Sequence, residues 1–295
     1  MRTTKRLLAM LLAMLLLCGT AMAAGTLRGY DKKEGYVYLT LGTFPQTKDG
    51  GIKPIVWRVL SVENDRAYLL SEYVLEARRI HGDYKQYANK ASNKSKPGFN
   101  GDFTQTEMSL YLNGDFASGH FTEGELNLIF PDESYGTFFL VSADDLKNKS
   151  YGFGTNQSRK GWSTEYAREN GLFVYGNKYG SHSPYWTRDQ STSDARHARC
   201  TKDEGELGRI NVITEDLGMR PACWLDMTKV VIASGTGTLE DPYVLQTAAP
   251  QTDTVETIET IELTEAADNT ENTDCNCVPE GEKCDCCDCC SCSLR

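Results

Sequence analysis

The chain has 295 residues, 40% of them hydrophobic, and its 31 Lys and Arg against 41 Asp and Glu give a formal charge of −10. That length suffices for one large domain or two small ones with a sizeable core. From Thr247 to Arg295 twelve acids face only Lys283 and Arg295, so this stretch carries the whole imbalance, and no basic patch of the kind a nucleic-acid partner needs is present.

Taken in order, the chain divides into four parts. Residues 1–23, MRTTKRLLAMLLAMLLLCGTAMA, set three positive charges before an apolar run from Leu7 to Leu17 and small residues at Ala21 and Ala23. This is the order of a secretory signal peptide, with cleavage expected after Ala23 and a secreted or cell-surface location for the product. A lipid-modified Cys18 is the rival reading, but the residue before it is Leu17, where a lipobox wants a small side chain. The apolar run is shorter than the ~20 residues a spanning helix needs, so no membrane span is expected.

Residues 26–246 read as one α+β body, a compact and mostly antiparallel twisted sheet with short helices and long loops. GYVYLTLGTFPQ is a strand stopped by Pro45, and PIVWRVLSVENDRAYLLSEYVL is a hairpin turning at ENDR. Between Phe103 and Phe130, Met108, Tyr111 and Leu112, then Phe121, Leu126 and Ile129, fall at helical intervals. Thr122 followed by Glu125 predicts a capping box. FFLVSADDLKN is a strand entering a short helix capped by Ser142, and SPYWTRD and GMRPACWLDMTKVVIASGTGTLEDPYVLQ return to strands, with SGTG and EDP as turns. No βαβ rhythm appears, which argues against a doubly wound nucleotide-binding fold.

Residues 247–274 are an acidic, Thr-rich spacer. Its acids step by three from Asp253 to Asp274, a period that lines one edge of a polyproline II strand or is the trace of a drifting linker; either way the segment reads as disordered and solvated. Residues 275–295 hold Cys275, Cys277, Cys284, Cys286, Cys287, Cys289, Cys290 and Cys292, eight of the eleven cysteines. Adjacent and alternate cysteines cannot all form relaxed bridges with one another, whereas several thiolates can crowd one soft ion. By composition this tail resembles a metallothionein, with Zn²⁺, Cd²⁺ or Cu(I) as the expected cofactor. In an oxidising compartment the same thiols would instead cross-link chains or partners.

The ordered blocks FPQ, PIVWRVL, YLLSEYVL, SLYLNGDF, FTEGELNLI, FLVSADDL, STEYAREN, YWTR and GMRPACWLD, spread over a span of about 200 residues, resemble a bacterial family catalogued as domain of unknown function 6273. Its closing elements, an aromatic-Trp-x-Arg strand and Gly-x-Arg-Pro-Ala, resemble in turn the end of the C-type-lectin-like fold shared with formylglycine-generating enzymes, an analogy of fold and not of function. That resemblance implies two neighbouring cysteines binding copper in an oxidase. Here Cys200 and Cys223 are the only body cysteines, and Cys223 sits in PACWLD where an apolar residue would serve. It reads as core, with a Cys200–Cys223 disulfide as the alternative in an exported chain.

His197 with Cys200 has the ingredients of an activated thiol, but no Gly-x-Ser-x-Gly elbow or other assembled motif supports catalysis, and a non-catalytic binding module is the expectation. ENGLFVYGNKYGSHSPYW places tyrosines and a tryptophan among Gly, Asn, Ser and His, the composition of recognition loops. Tyr179, His182, Tyr185 and Arg188 are the candidate ligand residues, with an extracellular glycan, peptide or surface protein as the expected partner. Arg188 and Arg220 equally suit buried pairing with acids such as Glu72 or Asp226, the preferred role for Arg220. Asp203, Glu204 and Glu206 form a sparse candidate calcium site.

Overall fold

A computed structural model describes residues 26–82, 102–174, 182–191 and 196–248. The signal-like segment, the acidic spacer beyond its first two residues and all eight cysteines of the tail lie outside these residues. Among the described residues no helix is long and apolar enough to cross a membrane.

The architecture is mostly β-sheet with a few short helices. Strand β1 (Tyr38–Pro45) ends at the proline, as the sequence predicts, and pairs antiparallel with β2 (Ile52–Glu63). β2 turns into β3 (Arg66–Ser71) through Asn64 and Asp65, whose φ values are 50° and 59°. A two-residue turn with both central residues at positive φ matches the twist of the strands it joins, and Asn and Asp tolerate that conformation better than other side chains.

Immediately after β3 the chain leaves this sheet. It contributes β4 (Tyr73–Val74) to a three-stranded sheet and β5 (Glu76–Ala77) to a five-stranded one. Next come α1 (Glu107–Tyr111), a π-helical turn (Leu112–Phe116), α2 (Ala117–His120) and α3 (Glu123–Leu126). Thr122 and Glu125 form the expected capping box at the start of α3. Phe116, Phe121 and Phe138 pack as a ring cluster against Trp57 of β2, with the Phe121 and Phe138 centroids 4.5 Å apart and the Trp57 and Phe138 rings stacked. Burial of each such ring contributes ~1.5–3 kcal/mol, and Trp57 keeps its indole donor satisfied by the Leu41 carbonyl at 2.8 Å.

Short strands β6 (Ile129–Phe130) and β7 (Phe139–Leu140) follow. Ser142 caps the next turn as expected, its Oγ accepting from Asp145 N while Asp145 Oδ2 accepts from Ser142 N. After α4 (Asn156–Arg159) come β8 (Gly161–Ser163) and α5 (Glu165–Glu169), the latter capped by Thr164. The remaining strands are β9 (His182–Ser183), β10 (Tyr185–Gln190), β11 (His197–Thr201), β12 (Leu207–Asn211), β13 (Gly218–Met219), β14 (Pro221–Asp226), β15 (Val230–Ser234) and β16 (Tyr243–Thr247).

The large sheet runs β15-β16-β1-β2-β3-β14-β6, with β7 also on β14; the second is β12-β11-β10-β13-β5 and the third β4-β8-β9. Among the described residues only β1–β16, β10–β13 and β4–β8 pair parallel, so the expected mostly antiparallel arrangement holds there.

The three sheets meet where the chain crosses between them, at residues 71–73 and at Arg220 between β13 and β14. Arg220 is fully buried, and it donates from Nε to the Ser71 carbonyl at 2.8 Å and from Nη2 to the Glu72 carbonyl at 3.0 Å. The Glu72 carboxylate pairs instead with Arg58, whose Nε and Nη2 lie 2.6 Å and 2.5 Å from Oε2. Burial is the largest single influence and lowers the Arg58 pKa, but the Glu72 charge and hydrogen bond together with Tyr36 and Tyr38 outweigh it and the guanidinium is raised. Arg220, pressed by burial and by the neighbouring Arg58 charge, is lowered. The structural role expected for Arg220 is therefore present, with backbone carbonyls and not an acid side chain as its partners.

Candidate functional site

The thiol candidates are not assembled into a site. Cys200 and Cys223 are both free and buried, so the bridge between them expected as one reading of the sequence is absent. The reason is topological: Cys200 lies on β11, in register with Trp186 and Gly208, and Cys223 lies on β14 of the large sheet opposite Leu69. Burial pushes the Cys200 thiol up to about 12 and Cys223 higher still, the reverse of an activated nucleophile. His197 and Cys200 are three positions apart on one strand, which directs their side chains to opposite faces.

The four ligand candidates separate. Tyr179 lies outside the described residues. Tyr185 is wholly buried, its hydroxyl donating to the Arg159 carbonyl at 2.8 Å, which makes it a core residue and corrects its candidacy as a ligand contact. Arg188 is tied down on three sides: Nη1 donates to the Leu140 carbonyl at 2.7 Å and pairs with Asp145 Oδ2 at 3.0 Å, and the guanidinium lies over Tyr135. His182 is half-buried on β9, with Nε2 3.3 Å from Lys160 Nζ.

Around His182 the third sheet makes a row that sequence reading missed. Tyr73, Trp162 and His182 are direct cross-strand partners on β4, β8 and β9, so their side chains share one face, spaced by the ~4.8 Å separation of strands. The opposite face carries Val74 and Ser163, both buried. Of the four tryptophans, Trp57 and Trp186 are buried and Trp224 stacks on Tyr68 at 4.4 Å, while Trp162 is 37% exposed. The His182 ring meets the Trp162 indole in an edge-on arrangement, centroids 5.7 Å apart, and so braces it. Lys160, beside the row, is held by Glu204 at 2.7 Å. That hydrogen bond lowers the Glu204 pKa and keeps the carboxylate ionised. Burial, with the Glu72 and Glu240 charges, raises Tyr73, so its phenol stays a neutral hydroxyl. The only sequence signal for this row is a lone Trp in the polar context RKGWSTE; its partnership with Tyr73 is nearly ninety residues distant.

A hydroxyl, a half-open indole face, an imidazole and a fixed ammonium can hold an uncharged, hydroxylated ring: the indole supplies an apolar face and the flanking groups supply hydrogen bonds. Among the described residues no group of three or more His, Cys, Asp or Glu side chains is placed to hold a metal ion. Two of the three calcium candidates are engaged elsewhere, Glu204 with Lys160 and Glu206 3.8 Å from Lys202.

No curated protein and no solved structure matches the chain significantly. A family model does, that of a domain of unknown function, DUF6273, over residues 64–227. The matched segment runs from the β2–β3 turn through β14 and includes Tyr73, Trp162, His182 and the Arg220 junction. It takes in more than half of the chain, which therefore belongs to the DUF6273 family.

Proposed function

We propose that the protein is an exported, non-catalytic binding module that takes a glycan on the row Tyr73, Trp162 and His182. The observation that carries this reading is the exposure of Trp162, an indole braced at its edge by His182 and set among hydrogen-bonding groups. A large ring left half-open on a structured sheet, while the other tryptophans are packed away, is the composition of a sugar-stacking surface and not of a core. The absence of assembled chemistry at Cys200, Cys223 and His197 favours binding over a formylglycine-generating type of oxidase. A C-type-lectin-like arrangement agrees with the mostly antiparallel sheets and short helices. Residues 1–23 supply the export signal, residues 247–274 a solvated spacer, and residues 275–295 a thiolate cluster for a soft metal.

The test is titration of the chain with a panel of soluble oligosaccharides, followed by tryptophan fluorescence and calorimetry, with Trp162→Ala as the variant. Loss of an aromatic anchor removes more than ~1 kcal/mol, about fivefold in affinity or more. Binding that survives Trp162→Ala unchanged, or turnover of a bound oligosaccharide, overturns the proposal.

A further inference from the structure

A second cleft lies apart from the aromatic row, at the end of β10 and β11. It encloses ≈ 320 Å³ and is lined among others by Tyr135, Lys147, Arg188, Asp189, Gln190 and Arg199. Most of its charged groups are committed. Arg188 is fixed by Asp145 and the Leu140 carbonyl, and Lys147 is held by Asp144 at 2.8 Å. Asp189 Oδ2 accepts from the Ala143 N–H.

Arg199 is the exception. Its Nε is buried without a hydrogen-bond partner, and among the described residues its guanidinium forms no hydrogen bond or ion pair. It also sits directly across from Arg209 in the β11–β12 register, and like charges at facing positions repel. An arginine held in a concave site, half-buried, beside a second arginine and near the Asp144 charge but bonded to no carboxylate among the described residues, has its fork open to an external anion.

The geometry points to a binding site for a small hydroxylated monocarboxylate of the sugar-acid class, independent of the aromatic row. The planar fork of Arg199 matches a carboxylate through two parallel N–H donors. Asp189 and Gln190 offer acceptors for ligand hydroxyls on the same wall, and the volume suits one ring-sized molecule. Asp144 and Asp189 on the rim disfavour a phosphate dianion, which selects a single negative charge.

Calorimetric titration of the full chain with glucuronate, glucose and inorganic phosphate tests the assignment. Glucuronate is expected to bind saturably and at least about tenfold more tightly than glucose or phosphate. Arg199→Gln is expected to weaken glucuronate by about tenfold or more, and Arg199→Lys, which keeps the charge but loses the fork, by less. Trp162→Ala leaves glucuronate binding unchanged, so failure of this site and failure of the aromatic row are separable. Because the Arg199 guanidinium has no bonds to lose, both Arg199 variants should unfold at the parent temperature; were the glutamine variant not to fold, the lysine variant carries the test. Equal binding of glucose, stronger binding of phosphate, or an Arg199→Gln or Arg199→Lys variant that binds as the parent does overturns the inference.

Discussion

Replacing Glu72 by Gln is the most direct test of how the three sheets are joined. The Glu72 carboxylate is 5% exposed and its Arg58 partner 7%, and Arg220 lies fully buried against the Glu72 backbone. Tyrosines apart, Glu72 is the one acidic group that raises either guanidinium. The substitution preserves shape and one hydrogen-bonding oxygen but leaves two buried cations without an opposing charge. Breaking a buried pair in this way costs about 3–5 kcal/mol, against a total stability of ~5–15 kcal/mol for a domain. At ~2–4 °C per kcal/mol for a chain of this size, the midpoint should fall by about 6–20 °C. Urea unfolding followed by tryptophan fluorescence reads the change directly, with the exposed pair partner Glu107→Gln, expected to lose no more than ~1 kcal/mol, as the surface control. A loss of under ~1 kcal/mol for Glu72→Gln would put the pair on the surface scale and refute its role as the junction.

Thiol titration of the oxygen-free chain should divide the cysteines into two classes. Cys200 and Cys223 should stay silent until denaturant is added, since burial raises both thiols; a chain of residues 24–274, which lacks Cys18 and the tail, should therefore show no native reactivity and no bound soft metal, whereas the chain with its tail should carry metal released by acid. Fast native labelling of Cys223 contradicts its burial. His120 gives a pH dependence of known sign. Burial lowers its pKa below the ordinary 6.5, with the ring packed 4.4 Å from Phe44, so the unfolded chain takes up the proton first. Its contribution is complete above about pH 6.5 and is lost as pH falls through the lower folded value. His120→Gln should remove that part of the acid sensitivity in unfolding midpoints measured from pH 7.5 to 5; an unchanged slope would locate it elsewhere.

The local elements were legible because their signals are local. Pro45 stops β1, ENDR makes a two-residue turn, and Thr122 with Glu125 closes a capping box. The division into three sheets was not, because it depends on pairings such as Tyr73 with Trp162 and Met219 with Glu76 that no short window contains. Tyr185 was misread for a related reason. Tyr185, Trp186 and Thr187 are buried in succession, so the strand shows no alternation between inner and outer faces, and a tyrosine beside Gly, Asn and Ser was placed at the surface. Arg220 is buried as expected, but the expected acid partner is replaced by the Ser71 and Glu72 carbonyls, which no sequence window pairs with it.

The buried tyrosine and the exposed tryptophan are parts of one arrangement. On β4 and β8, Val74 and Gly161 alternate with Tyr73 and Trp162, so a slip of one residue would turn the rings inward and the core residues out. The register is held from beneath. A Cβ at Gly161 would meet the Tyr185 ring at 2.7 Å, and one at Gly218 would meet Val74 at 2.1 Å. The absence of side chains at these two glycines thus lets Val74 and Tyr185 fill the space under the small sheet. The Tyr185 hydroxyl then bonds the Arg159 carbonyl, two residues ahead of β8. With Gly161 seated on Tyr185 the next residue must project outward, and that residue is Trp162. Tyr185, buried beneath Gly161, thus fixes which way the Trp162 indole faces.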